Sequence, residues 1–405
     1  MSPKQVPVGD LACQRDTYLC ELNTKCIACS EKPNKEGFYE VKLHDTILFP
    51  EGGGQPSDTG FIDNVEVYDV QRRQLEHVHF TKEPVQVNKD VHVKLDWDRR
   101  WDHVQQHSGQ HLLSAILEQE PFFFDTVSWY MGATKSYVEL GTAKSKPPTA
   151  DQLEAVERKA NEQILAAVPV KLHVQTNDGR TVETLPEDYI GGVLRTIEIA
   201  DLDKNPCCGT HVRHLGHLQC LKLLHTEKVR GGNTRLFFLV GQRVLQTAGE
   251  LYSVARQLTS LLSGDTLVEN VQRLQLQSRE HFRQTKRLMA ELAQYAAKDL
   301  LTGLSHRPYG LLYREDADLE YLNAVATALK DKLASDQVVV LAAGEKKSGG
   351  PILIAGGSDE MIQKTAKVIA TVVDVKGGGK GRWQGKTKSW KGVENIEKEL
   401  EKLFP

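Results

Sequence analysis

Between Thr17 and Leu95, apolar and polar residues alternate in short runs, among them Phe38–Leu43, Val65–Tyr68 and Val91–Leu95, separated by glycine and acidic turn residues. A period of two is that of a strand with one buried face, and regular short strands predict a β-rich, barrel-like domain over residues 1–95. The texture changes at Trp97. From Arg99 to Glu118 the residues Val104, His111, Leu112, Ala115 and Ile116 share one face at helical spacing. A strand is expected at 136–140, then an amphipathic helix at 149–167 that opens on the cap-like Thr149-Ala150-Asp151-Gln152 and repeats Leu153, Val156, Ala160 and Ile164 on one side. Strand-like runs return at 170–174, 194–199, 219–224 and 235–240, so an α+β domain is expected over 96–242. Arg243 to Leu301 is helical apart from Gly264-Asp265. There Leu267, Val271, Leu274, Leu288, Leu292 and Tyr295 keep a 3–4 spacing around polar Ser278, His281 and Thr285, which predicts a helical hairpin or short coiled-coil linker over 243–303. Residues 304–405 alternate strand and helix and predict a small C-terminal α/β domain. The expected fold class is therefore α+β and multidomain.

Size and charge agree with that division. At 405 residues the chain exceeds the roughly 250–300 that one hydrophobic core serves. A net charge of -3 provides no global attraction for nucleic acid, so any such contact must come from local basic patches. No apolar run approaches the roughly 18–20 residues of a membrane span, and no apolar segment follows Met1–Gln5 to form a secretory signal, so no membrane partner is expected. Seven cysteines, an odd and low number for this length, suit a reducing compartment, and a cytoplasmic location is expected.

Two short segments carry the strongest chemistry. In His107-Ser108-Gly109-Gln110-His111 the imidazoles stand at i and i+4, one above the other on a helix, where both can reach one ion. Cys207-Cys208-Gly209-Thr210-His211 repeats the four-residue step. Together they offer a Cys/His3 set, His107, His111, Cys207 and His211, suited to one tetrahedral zinc per chain. Spacing to His211 favours Cys207 over Cys208. Ser108 stands where a zinc protease carries its general-base glutamate, so a protease reading lacks its base. Four protein ligands complete a tetrahedral shell, and whether the zinc is structural or catalytic stays open. The lone Cys26-Ile27-Ala28-Cys29 has no second pair at zinc-finger spacing.

A second basic signal lies between Lys376 and Lys391, which holds Lys376, Lys380, Arg382, Lys386, Lys388 and Lys391 without an acidic residue and interleaves Trp383 and Trp390. Cations that hold phosphates beside indoles that stack on bases would bind nucleic acid, with Lys380, Arg382, Trp383 and Lys386 as the contacts.

At these residues the sequence resembles the editing domain of alanyl-tRNA synthetase, which threonyl-tRNA synthetase and the freestanding AlaX trans-editing proteins share. The paired halves His107–His111 and Cys207–His211 carry the likeness, with the Gly-rich Phe49–Gly60, the strand Asp125–Trp129, Asn205–Val212 and the glycine-rich Lys376–Gly385. It covers nearly the whole chain in the synthetase's domain order and is similar to the long, eukaryote-type AlaX form. Only Met1 to Asp16 precede the β-rich domain, so an aminoacylation domain is not expected. Alanyl-type members often have glycine where Cys208 stands.

The resemblance implies a hydrolase that removes wrongly attached serine from tRNA(Ala), with glycine as a further candidate substrate. It also implies that Thr126 faces the aminoacyl group, with Gln110 and Ser128 as further catalytic-pocket candidates. A site that hydrogen-bonds the seryl hydroxyl would reject the alanyl group that lacks it. Backbone N–H groups of Gly52, Gly53 and Gly54 could stabilise the oxyanion, or the run could be only a turn between strands. Two other readings stand beside this one: a zinc-stabilised tRNA-binding or chaperone-cofactor module without hydrolysis, and editing of seryl-tRNA(Thr).

Overall fold

The computed structural model describes residues 4–143, 146–176, 188–189, 191–262 and 266–405. The chain forms two compact units, Met1–Arg256 and Gln257–Pro405. The expected Gly264-Asp265 break lies outside the described residues.

The first unit begins with a short helix α1 (Ala12–Arg15) and a closed barrel of six strands: β1 (Glu21–Cys29), β2 (Tyr39–Leu43), β3 (Gly60–Ile62), β4 (Val65–Arg73), β5 (Glu76–Thr81) and β6 (Asp90–Leu95). They close in the order β1-β2-β5-β4-β3-β6, with every pairing antiparallel. Alternation has its expected result: Val41, Leu43, Ile62, Val67 and Val93 fill the interior. Closure leaves no edge strand exposed for pairing with another chain.

Helix α2 (Trp97–Glu118) leaves the barrel directly, and the Asp96 side chain caps it by accepting from the Arg99 N–H at 3.3 Å. Almost every residue from Arg100 to Leu117 is buried. One neighbour is a four-stranded antiparallel sheet, ordered β12-β13-β8-β7, made by β7 (Thr126–Met131), β8 (Ser136–Leu140), β12 (Leu221–Lys228) and β13 (Thr234–Val240). Helix α3 (Ala150–Leu165) begins with the expected Thr149–Gln152 capping box and buries Val156, Ala160 and Ile164 in the same core. A three-stranded antiparallel sheet of β9 (Val170–Thr176), β10 (Val193–Ile199) and β11 (Asp203–Pro206) completes the unit. The strand and helix positions expected from periodicity over 136–240 all correspond to elements, with ends shifted by a few residues.

The barrel and the layer that follows are joined by a buried charge. The Arg100 and Asp58 side chains are both fully buried and form an ion pair, and Arg100 also donates to the carbonyls of Thr17 at 3.0 Å and Ile47 at 2.6 Å. The barrel and α2 thus share one compact unit.

The long helical tract is two helices, α4 (Gln242–Leu262) and α5 (Leu267–Leu304). The expected seam is not buried: Val271, Leu274, Leu288, Leu292 and Tyr295 are all exposed. The last turns of α5 instead belong to the core of the second unit, where Ala293, Ala297, Leu300 and Leu304 pack with Tyr321, Leu322 and Val325. That unit contains β14 (Tyr309–Arg314), α6 (Leu319–Leu329), β15 (Val338–Ala343), β16 (Gly350–Gly356), α7 (Asp359–Val372), β17 (Val375–Gly378), β18 (Trp383–Thr387) and α8 (Ile396–Leu403). Its sheet runs β14-β15-β16-β18-β17, and only β14 and β15 are parallel. Among the described residues no helix is long and apolar enough to cross a membrane.

Candidate metal centre and aminoacyl pocket

The two short segments meet. His107, His111, Cys207 and His211 bring their ligand atoms within 4.8 Å of one another. The Cys207 Sγ lies 3.4 Å from His107 Nε2 and 3.1 Å from His211 Nε2. Nitrogen and sulfur donors this close, from a helix and a facing loop, are a set that a metal ion can fill.

Burial prepares the donors. It holds the imidazoles of His107 and His211 well below their ordinary range and that of His111 at about 4, so all three are neutral at neutral pH and keep a lone pair. The same burial pushes the Cys207 thiol up to about 12. A thiol held this high gives up its proton to a cation that replaces it, as a divalent metal does.

The outer partners fix which nitrogen faces inward. The Gln55 Oε1 lies 2.9 Å from His107 Nδ1 and also accepts the Thr210 N–H at 3.0 Å, while its amide nitrogen donates to the Thr210 hydroxyl at 2.8 Å. The Thr210 N–H can only donate, so it fixes the amide orientation. His107 therefore carries its proton on Nδ1 and turns the Nε2 lone pair toward Cys207. Ser108 holds the His211 ring in place: its Oγ accepts the Val212 N–H at 3.1 Å and lies 3.1 Å from His211 Nδ1, while His211 Nε2 lies 3.1 Å from the Cys207 sulfur. Gln55 lies in the Gly-rich segment and is fully buried, so the barrel reaches into the donor set. Replacing Gln55 with leucine is expected to weaken metal affinity at this donor set about 10–100-fold, the usual cost of losing an outer-sphere partner. Competition against a chromogenic chelator measures this, and unchanged affinity would remove Gln55 from the argument.

The loop that carries Cys207 needs its glycine. A Cβ on Gly209 would stand 2.2 Å from His107 Cε1, so no larger residue fits between the two halves. The Arg195 guanidinium ties the loop down by donating to the carbonyls of Cys207 at 3.3 Å and Gly209 at 2.8 Å.

Beside the donors lies a cavity of about 530 Å³, lined by His107, His111, Cys207, Gln110, Gly52 and Gly53 among others. Glu51, Arg72 and Cys208 also reach it. Trp129 closes one side: its indole stacks on His107 with centroids 4.9 Å apart, and a Cβ on Gly54 would come within 2.7 Å of the ring. Sequence reasoning did not single out Gln55, Trp129 or Arg195. For Gln55 the available signal was its place in the Gly-rich run.

The expected pocket residues divide. Gln110 lines the cavity, and its amide nitrogen donates to Ser114 Oγ at 3.0 Å. Ser128 is exposed and does not line it. Thr126 pairs with Leu140 and Trp129 with Val138, both core residues, so the two share the inward face of β7 across a bulge. The Thr126 hydroxyl is buried without a hydrogen-bond partner among the described residues, although Thr126 is not among the cavity-lining residues. The Gly52 N–H is taken by the Gln55 carbonyl at 3.1 Å, which removes it as an oxyanion donor, whereas the N–H groups of Gly53 and Gly54 have no protein partner among the described residues.

In the second unit the basic stretch is a hairpin, β17–β18, followed by a loop. Lys376, Lys380, Lys386, Lys388 and Lys391 are exposed and Arg382 is half-buried. Trp383 does not stand ready to stack on a base: it is buried in the core of the unit, as is Trp390, whose Nε1 donates to the Ala343 carbonyl at 2.8 Å. In β18 alternation puts the Trp383 indole on the face opposite Lys386, which here is the core.

Comparison with known proteins places this site in a class. Residues 194–237, which include the Cys207–His211 half, match the family described as the threonyl and alanyl tRNA synthetase second additional domain. The chain is 28% identical over 384 residues to the alanine–tRNA ligase of Ignicoccus hospitalis, covering 90% of this chain and 40% of the ligase. Over nearly its whole length it is similar to shorter proteins. It is 38% identical over 395 residues to alanyl-tRNA editing protein Aarsd1 of Danio rerio, with 93% of each chain covered. It is 34% identical over 435 residues to the putative alanyl-tRNA editing protein alaX of Saccharomyces cerevisiae, with 95% of this chain and 94% of the relative covered. The chain belongs to the alanyl-tRNA editing protein family.

Proposed function

We propose that the protein is a trans-editing hydrolase that deacylates seryl-tRNA(Ala), and glycyl-tRNA(Ala) as a second substrate, without charging tRNA itself. The observation that carries this reading is the Cys/His3 donor set beside a cavity bordered by a Gly-rich turn. Zinc held by His107, His111, Cys207 and His211, one per chain, would supply a fixed positive charge beside the ester and keep the two halves of the site together. A cavity of about 530 Å³ lies within the range of roughly 300–1,000 Å³ typical of small-molecule sites, so it has room for an aminoacyl group and part of the nucleoside that carries it.

The remaining roles belong to the chain. The N–H groups of Gly53 and Gly54 are the candidates to receive the developing oxyanion, since no protein acceptor among the described residues uses them. Gln110 is proposed to orient the reacting group or water through its amide oxygen, and its place in the cavity lining supports that role. Thr126 is proposed to pair with the seryl hydroxyl, and its unpartnered buried hydroxyl supports that role. The exposed Ser128 supports no contact with the aminoacyl group.

For tRNA binding, Lys376 and Lys386 stand directly opposite across β17 and β18. Like charges so placed repel, and a bound phosphate relieves that cost. Lys380 and Arg382 extend the same patch. All seven cysteines are free, which fits a reducing, cytoplasmic setting.

The test is deacylation of tRNA(Ala) charged with serine, glycine or alanine, beside seryl-tRNA(Thr). Rapid loss of serine from tRNA(Ala) with alanine spared is the expected result. Hydrolysis confined to seryl-tRNA(Thr) would move the substrate, and no hydrolysis would leave a binding module. In the same assay Thr126→Val should lower the seryl-to-alanyl preference about ten-fold, which corresponds to about 1.4 kcal/mol. Full retention of the preference would return Thr126 to a packing role.

A further inference from the structure

A second cavity, of about 260 Å³, also touches the donor set, through His211. Arg15, Asp16, Tyr18, Leu172, Arg195 and Arg213 line it, together with His211. Arg195 is only 5% exposed. Its terminal nitrogens donate to the carbonyls of Cys207, Gly209 and Gln14, and its Nε is buried with no partner among the described residues. Every hydrogen-bond partner it has among the described residues is a carbonyl. A buried guanidinium without a carboxylate is costly, and a free N–H on it leaves unused the edge that most favours an oxyanion.

The other charges facing this cavity do not neutralise Arg195. Arg15 pairs with Asp45 and Asp10, neither of which lines the cavity. Arg213 pairs with Asp16 at 2.9 Å and lies over the Tyr18 ring at 4.4 Å. The lining thus carries three arginines against one aspartate. Arg15 and Arg213 are half-exposed or more, so each can turn a second N–H toward a ligand.

We propose that this cavity binds a phosphate group, with Arg195 as its buried base and Arg15 and Arg213 at its rim. The cavity has room for a tetrahedral oxyanion, and the flat fork of arginine matches phosphate geometry. The phosphate is either free in solution or part of a nucleic-acid backbone. The proposal stands apart from the hydrolytic reading, because it needs only the charge and shape of this cavity.

Leu172→Glu tests it without touching the core. Leu172 is 37% exposed on β9 and lines the cavity, so a glutamate there places a carboxylate where the phosphate would sit. Inorganic phosphate is titrated into the zinc-loaded full chain at constant ionic strength, with chloride as the control. A short single-stranded oligoribonucleotide is titrated in parallel, and both are followed by calorimetry and by the thermal midpoint. Saturable phosphate binding that weakens ten-fold or more in Leu172→Glu and in Arg213→Gln is the expected result, and the same loss seen with the oligoribonucleotide alone identifies the backbone as the source. Absence of saturable binding by either ligand, or binding that Leu172→Glu leaves intact, overturns the proposal. Deacylation is measured on the same samples: its absence while phosphate still binds would count against the hydrolytic reading and leave this site in place.

Discussion

Cys207→Ala is expected to empty the site of zinc and abolish deacylation, while Cys208→Ala keeps most of both. The two thiols are neighbours in sequence but not in role. Only Cys207 brings its sulfur within 3.4 Å of the His107 and His211 ring nitrogens, and the Gly209 N–H donates to that sulfur at 3.4 Å. Cys208 lines the cavity, and its bond to Gln14 is made by its backbone carbonyl, which an alanine retains. Loss of the only anionic donor should lower zinc affinity by more than the about 10–100-fold that an outer-sphere change costs. Zinc per chain by elemental analysis, with deacylation on the same samples, measures the result. If Cys208→Ala is the variant that loses metal, the ligand register is wrong.

The largest effect on stability is expected at Arg100. Its guanidinium is enclosed with Asp58, and Asp58 also accepts the Phe49 N–H at 2.6 Å, just before the Gly-rich turn. Arg100→Ala would leave a buried carboxylate unpaired and two carbonyls, those of Thr17 and Ile47, without their donor. Breaking a buried pair on one side costs about 3–5 kcal/mol, a large share of a typical total of about 5–15 kcal/mol. Denaturant unfolding of Arg100→Ala, Asp58→Asn and the double variant measures the coupling. The double variant should recover part of the loss because no lone charge remains. Equal costs that simply add would show that the pair does not act as a unit. A weaker hold on the Gly-rich turn should also lower zinc affinity through Gln55.

Much of the architecture was legible from short-range patterns. Alternation over 38–95 marked the strands that became the barrel, and the Thr149 box marked the start of α3. The four-residue steps His107–His111 and Cys207–His211 marked the donor set; for the first the reason is local, because two residues four apart on a helix share a face whatever the helix packs against, whereas the second lies on a loop. The same local logic failed for the tryptophans. Trp383 and Trp390 lie in a run of lysines that reads as a solvated patch, yet strand pairing turns the Trp383 ring into the core, and the Trp390 ring, in the loop after β18, is buried there on the Ala343 carbonyl. It failed again for the seam on α5, where apolar spacing predicts a packed partner and the residues stand exposed.

By itself the sequence determined the donor residues, the strand and helix order that brings them onto one helix and one loop, and the absence of an acidic residue from the C-terminal basic stretch. Only the tertiary structure decided what surrounds the donors: Gln55 orienting His107, Ser108 orienting His211, Trp129 closing the cavity and Arg195 holding the Cys207 loop. Periodicity reports which face of an element is buried. It carries no information about which residue from another element, such as Gln55, 52 positions from His107 and 155 from Thr210, will meet that face. Those meetings follow from how the barrel, α2 and the 207–211 loop pack together, and that packing selects the hydrogen-bond partners.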